Sequence, residues 1–173
     1  MDALYALEHR RSVRAYKEEQ ITEEQLNAIL KAGTFAPTGN GKQSPTIVAV
    51  QDPELIKKLS RMNAAVMGAT GDPFYGAPTV VIVFGNPAIA GTWAQDGCLV
   101  MGNLMNAAFA VGVDSCWIHR AKEMFETDEG KALMKAWGVP ETCVGIGHCI
   151  LGYAKEPVKE APPRKADYVI RIG

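Results

Sequence analysis

The chain has 173 residues, enough for one domain whose core needs no disulfide or metal staple. Apolar residues make up 47% and charged residues 21%, the balance of an ordinary soluble globular protein. The formal net charge is −1, which gives no global basic field, so nucleic acid and anionic membrane are excluded as bulk electrostatic partners and any anion site must be local.

The amino terminus, MDALYALEHRR, starts acidic and lacks the apolar run of a secretory signal, which predicts a cytoplasmic protein. Asp2 can cap a short helix carrying Leu4 and Leu7 that ends near an arginine cluster. Thr22 and Gln25 form a T-x-x-Q capping box, and Leu26, Ile29, Leu30 and Gly33 follow at helical spacing until Pro37 stops the run. Thr46 to Val50 reads as a buried strand. Asp52-Pro53 pairs an N-cap with Pro at the first helical position, opening a helix with Leu55, Ile56 and Leu59. A loop rich in Gly and Pro comes next. Thr79 to Phe84 is apolar on both faces, as a central strand is.

The most apolar stretch, Gly97 to Val113, is too short to span a bilayer and carries Asn103 and Asn106. It belongs to a buried helix from about Thr92 to Val111, apolar all round, in the middle of the fold or at a subunit interface. Asp114 to Ile118 reads as a short strand. Thr127 caps a helix that Gly138 and Pro140 end. Thr142 to Leu151 reads as another strand, its glycines marking a close neighbour or a bulge. From about residue 155 the tail is Pro-rich and charged, then ends in a small strand, Tyr168 to Ile172, suited to wrapping a surface or pairing with another sheet. The four cysteines, Cys98, Cys116, Cys143 and Cys149, form no CxxC pair and lie in apolar segments, so all are expected to be buried thiols. No repeat or linker divides the chain, which predicts a single domain over residues 1–173.

Several familiar chemistries are missing. GIGHCI (145–150) begins like a dinucleotide-binding fingerprint but has Ile150 at the third glycine position. GNGKQ (39–43) resembles the end of a phosphate-binding loop, with Gln43 in place of Ser or Thr. His9, His119 and His148 are scattered and have no partner at metal-ligand spacing. Ser12 has no evident base, and no carboxylate pair is suited to acid–base work. No side chain stands out as the reagent, so in an enzyme a cofactor would carry the chemistry.

EHRRSVRAY (8–16) places three arginines within five positions. In an extended chain Arg10, Ser12 and Arg14 share one face, while Arg11 and Val13 point the other way. Two guanidiniums and a hydroxyl suit the oxygens of a phosphate; a solvated charged face, with Glu8 and Glu18 as partners, is the alternative. Arg164-Lys165, after the stiff Pro162-Pro163, is a second basic doublet or a solvated tail. Ala36 to Pro45 offers Thr38 and Gln43, with Gly39 and Gly41 allowing close backbone approach, or is an ordinary turn.

Taken in order, RRSVRAY, APTGNGKQSP before TIVAV, GVDSCWIHR after the long apolar helix, and LGYAKEPVKEAPPRK together resemble the nitroreductase family of FMN-dependent oxidoreductases in its compact form. The resemblance implies an α+β fold with a mostly antiparallel sheet between helices. It also implies an intertwined homodimer that exchanges C-terminal strands, with FMN at the interface and NAD(P)H as electron donor. By motif position, Arg10, Ser12 and Arg14 would hold the FMN phosphate, ribityl chain and pyrimidine edge, with Arg11 beside them. Arg164 and Lys165 would complete the phosphate site. Pro37, Thr38 and Gly39 would approach from the other subunit, with Gln43 in support. Trp117, Ile118, His119 and Arg120 would line the isoalloxazine, and Asn63 would add a polar contact. No side chain is implied as the catalytic group; Arg14 would support the reduced flavin electrostatically. Two departures stand out: Gly41 holds a position where the family often has Asn, with Asn40 one place earlier, and His119-Arg120 replaces a small or acidic residue and Gly. The implied acceptors are nitroaromatics or quinones. The alternatives are an enone or halogenated aromatic acceptor, a non-catalytic flavin-binding sensor, or a phosphate-binding interaction protein without flavin.

Overall fold

A computed structural model describes residues 2–173. The first helix, α1 (Ala3–His9), is capped by the Asp2 carboxylate, which accepts from the Tyr5 amide. The second, α2 (Glu23–Thr34), opens on the full capping box, Thr22 and Gln25 each bonding the other's backbone. A short turn at Gly39–Gly41 leads to β1 (Pro45–Val50), then α3 (Pro53–Val66), capped by Asp52. The chain continues through β2 (Thr79–Gly85), α4 (Trp93–Ala110), β3 (Asp114–Ile118), α5 (Ala121–Glu126), α6 (Asp128–Ala136) and β4 (Val144–Gly152).

The four strands form one sheet in the order β1-β2-β4-β3, every pair antiparallel. All seven residues of β2 are buried, which is why its sequence is apolar without alternation. Val80, Ile82 and Phe84 face a core built with α3, α5 and α6. Val81 and Val83 face the opposite core, built with α2 and α4. Helices thus cover both faces, and the α+β expectation is met.

The glycines of β4 mark close approaches. A Cβ on Gly145 would run into the Ala121 backbone at 2.5 Å, and one on Gly147 into the Trp117 indole at 2.6 Å. A register shift opposite these residues, between Val83 and Phe84, supplies the bulge as well.

Four details depart from the sequence reading. β1 is an edge strand, mostly half-buried with Ala49 exposed, because nothing among the described residues pairs its outer side. Cys98 is exposed, since α4 is apolar all round but buried along one side only, leaving Cys98 and Leu99 uncovered; the other three cysteines are buried. The helix α5 has no strong cap signal and is not foreseen; its N-cap residue, Arg120, makes no side-chain cap bond. Residues 168–172 form no strand, because the tail pairs with no strand edge among the described residues; Ile172 is 92% exposed.

Candidate functional site

The arginine segment is extended, as the alternation requires. Ser12 makes a parallel bridge to Ser115 of β3, and the Val13 amide donates to the Ser115 carbonyl at 3.0 Å. Val13 is buried in the core while Ser12 and Arg14 are exposed. The segment therefore runs along the free edge of β3, two residues upstream of Trp117 in register. Arg11 turns back on its own chain, its Nη1 donating to the carbonyls of Glu8 and Arg10, both at 2.7 Å. No carboxylate neutralises it among the described residues. Arg10 Nη1 and Arg11 Nε are buried and have no hydrogen-bond partner among the described residues. An orphaned cationic N–H is costly unless an acceptor arrives. Arg11, Ser12 and Arg14 share a cavity of about 600 Å³ with Glu156, Pro157 and Lys159 of the tail.

The 36–45 loop is held from α4. Asp96, 2% exposed, accepts from the Gly39 amide (Oδ1, 2.9 Å) and from the Ser44 hydroxyl (Oδ2, 2.8 Å). Burial pushes its carboxyl up, but the hydrogen bonds from Gly39, Ser44 and Thr92 outweigh that, and the net shift is below the ordinary 3.8. A Cβ on Gly39 would collide with the Thr92 side chain, which would have to move. Asn40, Gly41 and Gln43 all take positive φ (52°, 66° and 51°), and the Gln43 amide donates to Thr38 Oγ1 at 3.1 Å. The loop thereby presents Pro37 and Gln43 outward, both exposed. It enters the sheet at β1, whereas the arginine segment lies beyond β3. Three strand spacings, about 14 Å, separate those edges. One chain does not bring the two segments together.

The third part is the turn from β3 into α5. Trp117 lies over Gly147, Ile118 is buried, and His119 is exposed. Beneath the turn, His148 is fully buried between Phe74 and Phe125, with Nδ1 3.3 Å from the Ile118 carbonyl. Burial, with Arg120 and His119 adding to it, lowers its pKa to about 4 against the bonds to the Ile118 and His119 backbone. His148 is thus a neutral core residue that supports the turn. Asn63, 0% exposed, spends its amide on this turn: Nδ2 donates to the His119 carbonyl at 2.9 Å, and Oδ1 accepts from Arg120. It is a brace here rather than an outward polar contact.

The second basic doublet stays apart. Arg164 donates to the Pro162 carbonyl at 2.9 Å, and Lys165 sits 3.7 Å from Asp167 and over the Tyr168 ring. In this chain it does not join the arginine segment.

Sequence reasoning passed over Asp96 and Ser44, took Thr92 only as the start of a helix, and set His148 aside as a scattered histidine. Asp96 had a usable signal, an acid in the most apolar helix of the chain, where an unpaired charge would be prohibitive. No group of residues suited to holding a metal occurs among those described, and none of the described helices is long and apolar enough to cross a membrane.

The model of the Nitroreductase family matches residues 7–153. A protein of Archaeoglobus fulgidus, provisionally named NADH dehydrogenase/NAD(P)H nitroreductase, is 30% identical over 152 residues, covering 85% of this chain and 82% of the relative. A Bacteroides fragilis nitroreductase solved with bound FMN superposes with a TM-score of 0.91 at 29% identity, covering both chains completely. A Desulfitobacterium hafniense nitroreductase, also with bound FMN, shares the fold at a TM-score of 0.89 and 23% identity, again over both full chains. With the family model matched over most of its length and a fold that the two solved nitroreductases share from end to end, the chain belongs to the nitroreductase family.

Proposed function

We propose that the protein is an FMN-dependent oxidoreductase that takes electrons from NAD(P)H and passes them to a small acceptor such as a nitroaromatic or a quinone. The observation that carries this is the pair of buried, unpartnered guanidinium nitrogens, Arg10 Nη1 and Arg11 Nε, beside the exposed Ser12 and Arg14. A phosphate monoester with nearly two negative charges supplies the acceptors these donors lack. The residues present fit FMN, and its bound form in the Bacteroides fragilis neighbour supports the choice.

In this reading Arg10, Ser12 and Arg14 hold the phosphate end and the polar ring edge, and Arg164 and Lys165 of the tail add charge at the phosphate. Arg11 fixes the segment through its Nη1 carbonyl bonds and offers its unpartnered Nε to the phosphate. Trp117, Ile118 and the His119–Arg120 turn form the wall beside the ring. FMN, when bound, supplies a hydride-accepting centre. The chain's own part is to bind, orient and bias: Arg14 meets no carboxylate among the described residues, so its charge is available to stabilise an anionic ring.

The site is completed by a second copy. Pro37, Thr38, Gly39 and Gln43 stand near the opposite sheet edge from Arg10, Ser12 and Arg14, so a loop from a partner brings them together where a single chain does not. The uncovered Leu4, Leu7, Leu99 and Phe35 supply apolar surface for such a dimer. The exposed Tyr168, Val169, Ile170 and Ile172 suit strand addition at the open edge of β1, where a cavity of about 440 Å³ is lined by Ile47, Val48 and Trp137.

The test is direct. Purified protein is expected to be yellow, to bleach when NADH or NADPH is added without oxygen, and to oxidise the nucleotide steadily with a quinone. A colourless protein that refuses added FMN overturns the reading. Flavin binding without turnover points instead to a sensor.

A further inference from the structure

Arg120 occupies the left-handed region, with φ 73° and ψ 13°. Glycine adopts that conformation freely, while a residue with a side chain needs something to hold it there. The guanidinium supplies the hold. Its Nε and Nη2 both donate to Asn63 Oδ1, at 3.1 and 3.0 Å. Asn63 in turn donates to the His119 carbonyl, and it is fully buried, so water does not compete for the clamp.

The consequence runs along the backbone. The Ile118 carbonyl faces His148, the His119 carbonyl faces Asn63, and the Arg120 carbonyl accepts from the Met124 amide. Three successive carbonyls are engaged within the protein. In a trans peptide the N–H points opposite to the preceding C=O, so the amides of His119 and Arg120 turn the other way. Neither meets an acceptor among the described residues.

We infer that Arg120 is a positioning residue: through Asn63 it clamps the 118–120 turn so that the His119 and Arg120 amides face the flavin. This rests on the flavin reading above. Two of its guanidinium nitrogens are committed to Asn63.

The test compares wild type with Arg120→Ala, Arg120→Gly and Arg120→Lys, using FMN titration of the flavin-stripped proteins and their thermal melts. Arg120→Ala keeps the unfavourable φ and loses the clamp, so its FMN Kd is expected to rise about tenfold or more. Arg120→Gly also loses the clamp but is at ease in the conformation, and is expected within about threefold of wild type. Arg120→Lys keeps the charge without the fork and is expected to follow Arg120→Ala. Flavin-stripped proteins are expected to melt in the order wild type, Arg120→Gly, Arg120→Ala, highest first. Tight binding by Arg120→Lys with weak binding by Arg120→Gly would show the charge acting directly and overturn the inference, as would Ala and Gly variants that match. If wild type bound no FMN, the functional reading would fall, and the melts alone would decide the clamp. Arg120→Ala melting at or above Arg120→Gly would then refute it.

Discussion

The carboxylate of Asp96 lies 2.9 Å from the amide of Gly39, so an acid in the long apolar helix holds the backbone of the loop that leads into β1. With the Ser44 hydroxyl donating to the other oxygen at 2.8 Å, both bonds favour the charged form. Asp96→Asn replaces one acceptor oxygen with a donor that faces donors. Urea unfolding is expected to show a loss of about 2 kcal/mol. A variant as stable as wild type would mean that the loop is held by something other than this carboxylate.

Gly39 and Thr92 are expected to be coupled. A methyl group at residue 39 forces the Thr92 side chain away from Asp96. Gly39→Ala alone is expected to destabilise by about 1–2 kcal/mol, and by clearly less in a Thr92→Ala background, where the obstruction is gone. A double-mutant cycle checks this, and strict additivity would contradict it.

His148 makes stability depend on pH. Its folded pKa, about 4, lies below the ordinary 6.5, because burial disfavours the cation. The unfolded chain therefore binds the proton more tightly, and stability held above pH 6.5 is lost as pH falls towards 4. From pH 7 to pH 5 the expected loss is about 2 kcal/mol. His148→Phe, which keeps the aromatic packing against Phe74 and Phe125, is expected to flatten that slope. Asp96 adds a separate loss at lower pH, since its depressed pKa contributes stability above 3.8 that disappears as pH falls through the folded value.

Gly145→Ala tests the seat of α5. The Cβ would meet the Ala121 carbonyl and its carbon, which are backbone atoms and cannot rotate away. The helix must shift or β4 must bend, at an expected cost of about 2 kcal/mol or more in denaturant unfolding. The His119–Arg120 turn precedes Ala121 directly, so FMN affinity should fall with stability.

Local signals carried much of the fold. The capping box at Thr22–Gln25, the Asp52-Pro53 start and the unbroken apolar run of β2 each depend on residues close in sequence, and each is found. What escaped depends on neighbours far along the chain. Whether α4 is buried on every side is decided by what packs on Leu99, and whether 168–172 is a strand by whether a sheet edge meets it, which none does among the described residues. The site divides in the same way. The extended run through Ser12 and Val13 was readable because alternation is local, but Arg11 rather than Arg10 joins Ser12 and Arg14 in the cavity beside the tail. The role of Asn63 was not readable, because its partner Arg120 lies 57 residues on. A charge beside a flavin and a charge that clamps a turn have the same sequence.

Arg10 separates function from stability. Its Nη1 is buried without a partner, so the flavin-free fold carries a desolvated donor that contributes no bond. Arg10→Met keeps most of the apolar stem and removes that donor. The flavin-free variant is expected to melt at or above wild type. Its FMN affinity is expected to fall by more than about tenfold, because a charge-assisted bond to the phosphate is lost. A marked drop in the flavin-free melting temperature would make Arg10 a structural residue, and unchanged FMN affinity would remove it from the site. Only the opposed pair of outcomes, a fold no weaker and a cofactor held far less tightly, fits an arginine kept for an anion.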